Sequence, residues 1–172
     1  ALYGTYGGTF NTAVGRNAST SNNTGDYNVA LGYESGRALN GDDANYNLTL
    51  GSYSGDNLTT GCAGNVIIGS VDAGSATGDR QLVVAGYDGT TTTTWISGDS
   101  SGNLTFKRVD TGDDNPYVLT LQTGETDIAA SDVLGSINFQ APDEGTGTDA
   151  ILVAAGIDAV SEGDFAADNN AT

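Results

Sequence analysis

One five-residue pattern returns four times in the first half of this chain. Asn11-Thr12-Ala13-Val14-Gly15 recurs as Asn28-Val29-Ala30-Leu31-Gly32, as Asn47-Leu48-Thr49-Leu50-Gly51 and as Asn65-Val66-Ile67-Ile68-Gly69. The asparagines are 17, 19 and 18 residues apart. A unit this short cannot bury a face by itself, so a fixed step of this size means one small element stacked repeatedly. Each unit also carries a small or polar stretch: Asn17-Ala18-Ser19, Glu34-Ser35-Gly36, Tyr53-Ser54-Gly55 and Asp72-Ala73-Gly74. Ala1 to Gly8 reads as the remnant of an earlier unit, and Gln81 to Gly86 as a degenerate later one.

Strand periodicity explains the pattern. Alternate side chains of a strand point to opposite faces. Thr12/Val14, Val29/Leu31, Leu48/Leu50 and Val66/Ile68 then share one face, and Ala13, Ala30, Thr49 and Ile67 the other. The large aliphatic face is expected to fill the inside of the coil, and the small face to suit close approach by another backbone. Gly15, Gly32, Gly51 and Gly69 end the strands where a turn needs a permissive φ. Asn11, Asn28, Asn47 and Asn65 open them, bonding turn backbone or stacking in a ladder along the coil axis. A step of about 18 residues suits two short strands and two bends per rung of a β-solenoid or β-roll.

Such a rung is thin. Two buried aliphatic side chains yield roughly 3–6 kcal/mol, against a backbone ordering cost of about 1–2 kcal/mol per residue. Stacking helps, and burial against sister chains helps more. A homo-oligomer is the expectation.

Composition supports an all-β chain and removes whole classes of chemistry. Of 172 residues, 26 are Gly, and charge is sparse at 16%, while Val, Ile, Thr and Tyr are plentiful. This is the composition of short strands joined by tight turns. There is no His, which excludes Ser-His-Asp catalysis and imidazole metal sites. A single Cys, Cys62, excludes an intrachain disulfide and reads as a packing residue or free thiol. With 22 Asp+Glu against 5 Lys+Arg the net charge is −17, which repels phosphates, so neither nucleic acid nor an anionic membrane is an expected partner. No apolar run reaches membrane-spanning length, so no membrane insertion is expected. The chain begins with Ala, and a processed or partial chain is the expectation.

The second half changes character. Gln81 to Gly86 is followed by the threonine run Thr90 to Thr94. Trp95-Ile96-Ser97 and Leu104-Thr105-Phe106 flank a turn sequence, Gly98-Asp99-Ser100-Ser101-Gly102-Asn103, and read as a hairpin. Further strands are expected at Tyr117–Gln122, Val133–Ala141 and Ala150–Val160. The organisation expected is a β-roll repeat domain over 1–78, a degenerate repeat and Trp-containing connector over 79–110, and a small antiparallel β-domain over 111–172. Trp95, the sole Trp, lies between modules, where it suits an inter-module or subunit interface better than a sugar platform.

The spaced Asn-x-Ala-(Val/Leu)-Gly motif, as in Asn11–Gly15 and Asn28–Gly32, resembles the head repeats of trimeric autotransporter adhesins. It is also similar to repeat arrays of phage tail fibres. The resemblance covers about residues 9–74, and Thr49, Ile67 and Ser19 depart from it. It implies a left-handed parallel β-roll with three chains side by side. Two later passages resemble phage tail fibres more than adhesins: Trp95–Asn103, and Leu134-Gly135-Ser136-Ile137-Asn138-Phe139 followed by Ala154–Asn170. In that family a similar passage precedes a C-terminal intramolecular chaperone that is cleaved off, so its removal, or a fragment, is expected here.

Candidate chemistry is weak. Gly145-Thr-Gly147-Thr-Asp-Ala150 matches a loose G-x-G-x-x-A, but Ala150–Val160 reads as a strand where a dinucleotide site needs a helix. The acidic pairs Asp42-Asp43, Asp113-Asp114 and Asp143-Glu144 suit solvated turns. Calcium remains open, although no stretch has the order of a calcium loop, and no other cofactor is expected. Glycosidase chemistry would need two carboxylates held across a bond. Tyr3, Tyr6, Tyr27, Tyr33, Tyr46 and Tyr53 either pack between chains or, if exposed along the coil, bind glycans.

Taken together, the resemblance and the repeat imply a non-enzymatic, homotrimeric tail fibre of a phage virion, contacting other virion tail proteins and a host surface glycan or protein receptor. The alternatives are a bacterial trimeric autotransporter adhesin at the cell surface, a polysaccharide-degrading tailspike, and an extracellular or capsid-decorating filament.

Overall fold

The computed structural model describes residues 7–108, 111–140 and 153–162, and these contain strands and turns but no helix. Four three-residue strands, β1 (Thr12–Val14), β2 (Val29–Leu31), β3 (Leu48–Leu50) and β4 (Val66–Ile68), pair in parallel from one rung to the next. β4 pairs in parallel with β5 (Leu82–Tyr87). The chain then reverses. β5 pairs antiparallel with β6 (Thr92–Gly98), and β6 with β7 (Leu104–Phe106), completing a seven-stranded sheet. The N-terminal region is therefore a parallel β-solenoid with a β-hairpin extension. The expected turn Gly98–Asn103 links β6 to β7, with the Asp99 carboxylate accepting from the Ser101 and Asn103 amides.

Each rung holds one strand, not the expected two. The remainder is a chain of turns, yet its backbone is still bonded rung to rung. Ser19 N–H donates to Ser35 O, Gly36 N–H to Ser54 O, and Gly55 N–H to Val71 O, at 2.8–2.9 Å. These bonds align Val71, rather than Ala73, with Ser54, a shift of two residues from the alignment the sequence suggested.

The strand faces are inverted relative to expectation. Ala30, Thr49 and Ile67 are 0% exposed and line the solenoid interior, with Val83 behind them. Val14 and Leu50 lie outside, 62% and 40% exposed, and Leu31 and Ile68 in the same register are half-buried. The physical reason is crowding. The interior is already occupied by turn residues: Leu39 and Leu58 are fully buried and join Ala44, Cys62, Ile67, Ala73 and Val83 in one apolar cluster.

The chain divides into two compact units between Tyr117 and Val118. Residues 79–108 belong to the first unit, because β5 to β7 continue its sheet. In the second unit, β8 (Val133–Gln140) and β9 (Val153–Val160) form a two-stranded antiparallel sheet. Tyr117–Gln122, expected as a strand, is irregular. It still packs: a Cβ on Gly135 would sit 3.3 Å from Leu121 Cβ, so Leu121 covers the glycine. Asp143-Glu144, the Gly145–Ala150 motif, Tyr3, Tyr6 and the end of the Ala154–Asn170 passage lie outside the described residues.

Candidate functional site

The repeat asparagines form a continuous column, buried at Asn28, Asn47 and Asn65. The Asn28 backbone N–H donates to Asn11 Oδ1 at 2.8 Å, Asn47 N–H to Asn28 Oδ1 at 2.9 Å, Asn65 N–H to Asn47 Oδ1 at 3.1 Å, and Gln81 N–H to Asn65 Oδ1 at 2.9 Å. Each Nδ2 in turn donates to a turn carbonyl: Gly25, Ala44, Cys62 and Gly78 O, at 2.7–3.0 Å. An amide is uniquely suited because it offers an acceptor and two donors from one planar group. This column is structural, and its members are not exposed to ligands.

The glycines that close the strands are required for a second reason besides φ. A Cβ on Gly15 would lie 2.3 Å from Gly32 O, and one on Gly32 2.3 Å from Gly51 O. Both glycines have φ near +130°. Any side chain here would push the rungs apart.

Three surfaces of the solenoid are open to partners. The first is the outer sheet face, where Thr12, Val29, Leu48 and Val66 form one column and Val14, Leu31, Leu50 and Ile68 a second. Parallel sheets are normally covered on both faces; here the inner face is packed, while on the outer one Thr12, Val14 and Leu50 are exposed and the rest half-buried.

The second surface is an aromatic ladder. Phe10, Tyr27 and Tyr46 precede the repeat asparagines, all with φ 58°. That left-handed conformation turns each ring outward. Phe10 stacks on Tyr27 and Tyr27 on Tyr46, both at 4.9 Å between centroids and within 10° of parallel. Gly64 holds the next place, with φ 67°, and the ladder stops.

The third surface is polar. Arg37 pairs with Glu34 at 2.9 Å and with Asp56 of the next rung at 3.4 Å. Tyr33 donates to Glu34, which pushes its phenol up to about 12, and the same bond holds Glu34 below the usual carboxylate range. Tyr33 also meets Tyr53 edge-on at 5.2 Å, and the Arg16 guanidinium sits 5.8 Å from the Tyr33 ring. Asp56 is pushed up, first by burial and then by its hydrogen bond to Asp72.

The other candidates sit as follows. Trp95 sits against Gly86, where a Cβ would meet the indole at 2.7 Å, and is 54% exposed. Cys62 is buried with Sγ donating to Thr59 O, and burial pushes its thiol up to about 11, so it is a packing residue of low reactivity. Asp42-Asp43 and Asp113-Asp114 are exposed turn residues. Among the described residues no three His, Cys, Asp or Glu side chains converge as a metal site requires, and no helix is long and apolar enough to cross a membrane.

Sequence reasoning missed the turn leucines. Ser35-Gly36-x-x-Leu39 and Ser54-Gly55-x-x-Leu58 form a second repeat, 19 residues apart, that carries much of the core. Its earlier copy is Ala18-Ser19-x-x-Asn22. Comparison with known proteins finds no matching family model, no similar curated protein and no similar solved structure.

Proposed function

We propose that this chain is a non-enzymatic structural protein of a phage virion appendage, a homotrimeric tail fibre that presents repeated surface to a host receptor. The supporting observation is the aliphatic outer face of the solenoid, on which Val14 and Leu50 are exposed and Leu31 and Ile68 half-buried. A parallel sheet whose inner face is packed and whose outer face is aliphatic needs cover, and a second copy supplies a face of the same register. The second unit points the same way. An isolated two-stranded sheet is marginal in water, and here it exposes Ile137, Phe139 and Ile157. Three chains bring three weak receptor contacts together, raising avidity without new chemistry.

Sedimentation velocity and native mass measurement test the assembly. A trimer is expected, and a stable monomer would remove the basis of the proposal. Immunogold labelling of particles tests the location, with label on virion appendages expected; label on a bacterial surface would favour the adhesin reading instead.

A further inference from the structure

The aromatic ladder ends at a slot that matches a missing ring. Phe10, Tyr27 and Tyr46 occupy successive rungs, and the next place belongs to Gly64, whose N–H is bonded to Asn45 O in the same pattern that bonds Tyr46 N–H to Asp26 O. The neighbouring column lapses at the same rung. Thr9 N–H is accepted by Asp26, and Asp26 N–H by Asn45, but Ala63 has no side-chain acceptor to offer. Its own N–H still donates to Asp79 Oδ1 at 2.8 Å, as Thr9 and Asp26 donate in their rungs. Within the small run Gly61-Cys62-Ala63-Gly64, Gly61 and Ala63 line an open depression of about 400 Å³ together with Asp43, Asn45, Tyr46 and Asp79. Small-ligand sites run from roughly 300 to 1,000 Å³.

We propose that this slot binds a neutral pyranose ring of a glycan. This rests on the attachment role proposed above and names the ligand class and its seat. Among the described residues the Tyr46 face turned away from Tyr27 has no aromatic neighbour, and the residue is 64% exposed. An aromatic face is electron-rich and accepts the C–H face of a sugar. The exposed carboxylates of Asp43 and Asp79 are acceptors for hydroxyl donors at the ring's rim. On the far side, the Arg80 stem begins 3.5 Å from the place of a Gly64 Cβ. The two carboxylates at the rim oppose an anionic ligand, while a neutral ring rich in hydroxyl donors meets no such opposition.

The test is saturation-transfer NMR on the whole 172-residue protein, with the methyl pyranosides of glucose, galactose, mannose and N-acetylglucosamine. At least one is expected to bind, through one ring face. Tyr46→Ala should weaken that binding at least tenfold, and Tyr46→Phe should retain it. Gly64→Tyr should abolish it by supplying the fourth ring, and it should fold, because Tyr27 and Tyr46 already hold the same left-handed conformation. No binding by any of the four sugars overturns the proposal, as does binding unchanged in both Tyr46→Ala and Gly64→Tyr. Tetramethylammonium binding in place of the sugars overturns the ligand class. Sedimentation of the same samples separates the two claims: a monomer that binds sugar at Tyr46 removes the fibre and leaves the site.

Discussion

Asn47 Oδ1 accepts both the backbone and the side-chain N–H of Asn65, at 3.1 and 2.9 Å, in an interior closed to water. Asn47 also donates to Asn28 Oδ1 and to Cys62 O. Removing that amide strands partners in two adjacent rungs at once. Asn47→Ala is expected to cost about 3 kcal/mol, since each buried group left unpaired costs roughly 1–3 kcal/mol. Urea denaturation at fixed protein concentration measures it. A loss within error of zero would show that water reaches the column.

Ser19 stands where later rungs carry Gly36 and Gly55, and all three share a φ of 51–56°. Its Oγ is the buried side-chain atom without a hydrogen bond among the described residues. Ser19→Gly is therefore expected to stabilise by about 1 kcal/mol, relieving left-handed strain and an orphaned hydroxyl. The reverse change should not be tolerated. A Cβ at Gly36 would sit 2.9 Å from both Leu39 Cδ1 and Thr49 Oγ1, so Gly36→Ser should lower the urea midpoint. Ser19 escapes this clash because its neighbouring rung carries Ala30 in the register place of Thr49.

The two strand faces make opposite predictions for the same substitution. Leu50→Asp places a charge on the outer face, so it should dissociate the proposed trimer while leaving β-structure intact. Ile67→Asp buries an unpaired carboxylate and should abolish folding. Sedimentation velocity and circular dichroism separate the outcomes. Unfolding by Leu50→Asp with an unaffected Ile67→Asp would reverse the face assignment.

Asp56 gives the chain an acid-side stability component. Burial, then the hydrogen bond to Asp72, raises its folded value above the ordinary one near 3.8. The folded state then binds the proton more tightly than the unfolded state. Stability from this group is full below the ordinary aspartate value and is lost as pH rises through the raised one. Asp56→Asn should accordingly be more stable than the parent at neutral pH, with the gain vanishing in acid. Thermal unfolding across that range checks the sign.

Cys62 should react slowly with a disulfide reagent while the protein is folded and at once in denaturant. Its burial and raised thiol value both withhold the thiolate. Fast native reaction would mean that the interior opens near Cys62.

The repeat, the all-β class, the parallel register and the Gly98–Asn103 turn were all legible in the residues, because each depends on spacing and turn chemistry. Which strand face points inward was not. Period-two alternation separates Ala30 from Leu31 but carries no sign, and size alone suggested the wrong one. The sign is set by Leu39 and Leu58, isolated aliphatics inside polar turns, and the Ser-Gly-x-x-Leu repeat that holds them was there to be read. The slot beside Tyr46 was illegible for a different reason. It arises from what Ala63 and Gly64 lack, and an absence is visible only once its neighbours are aligned.

The asparagine column hands every rung the same donors and acceptors that it received from the one before. A copy of the unit can be spliced in or deleted without disturbing the hydrogen bonding of the rest, and differences of one to three residues between units are absorbed in the turns. The length of the solenoid, at roughly 4.8 Å per added copy, is therefore something evolution can tune by gene duplication alone.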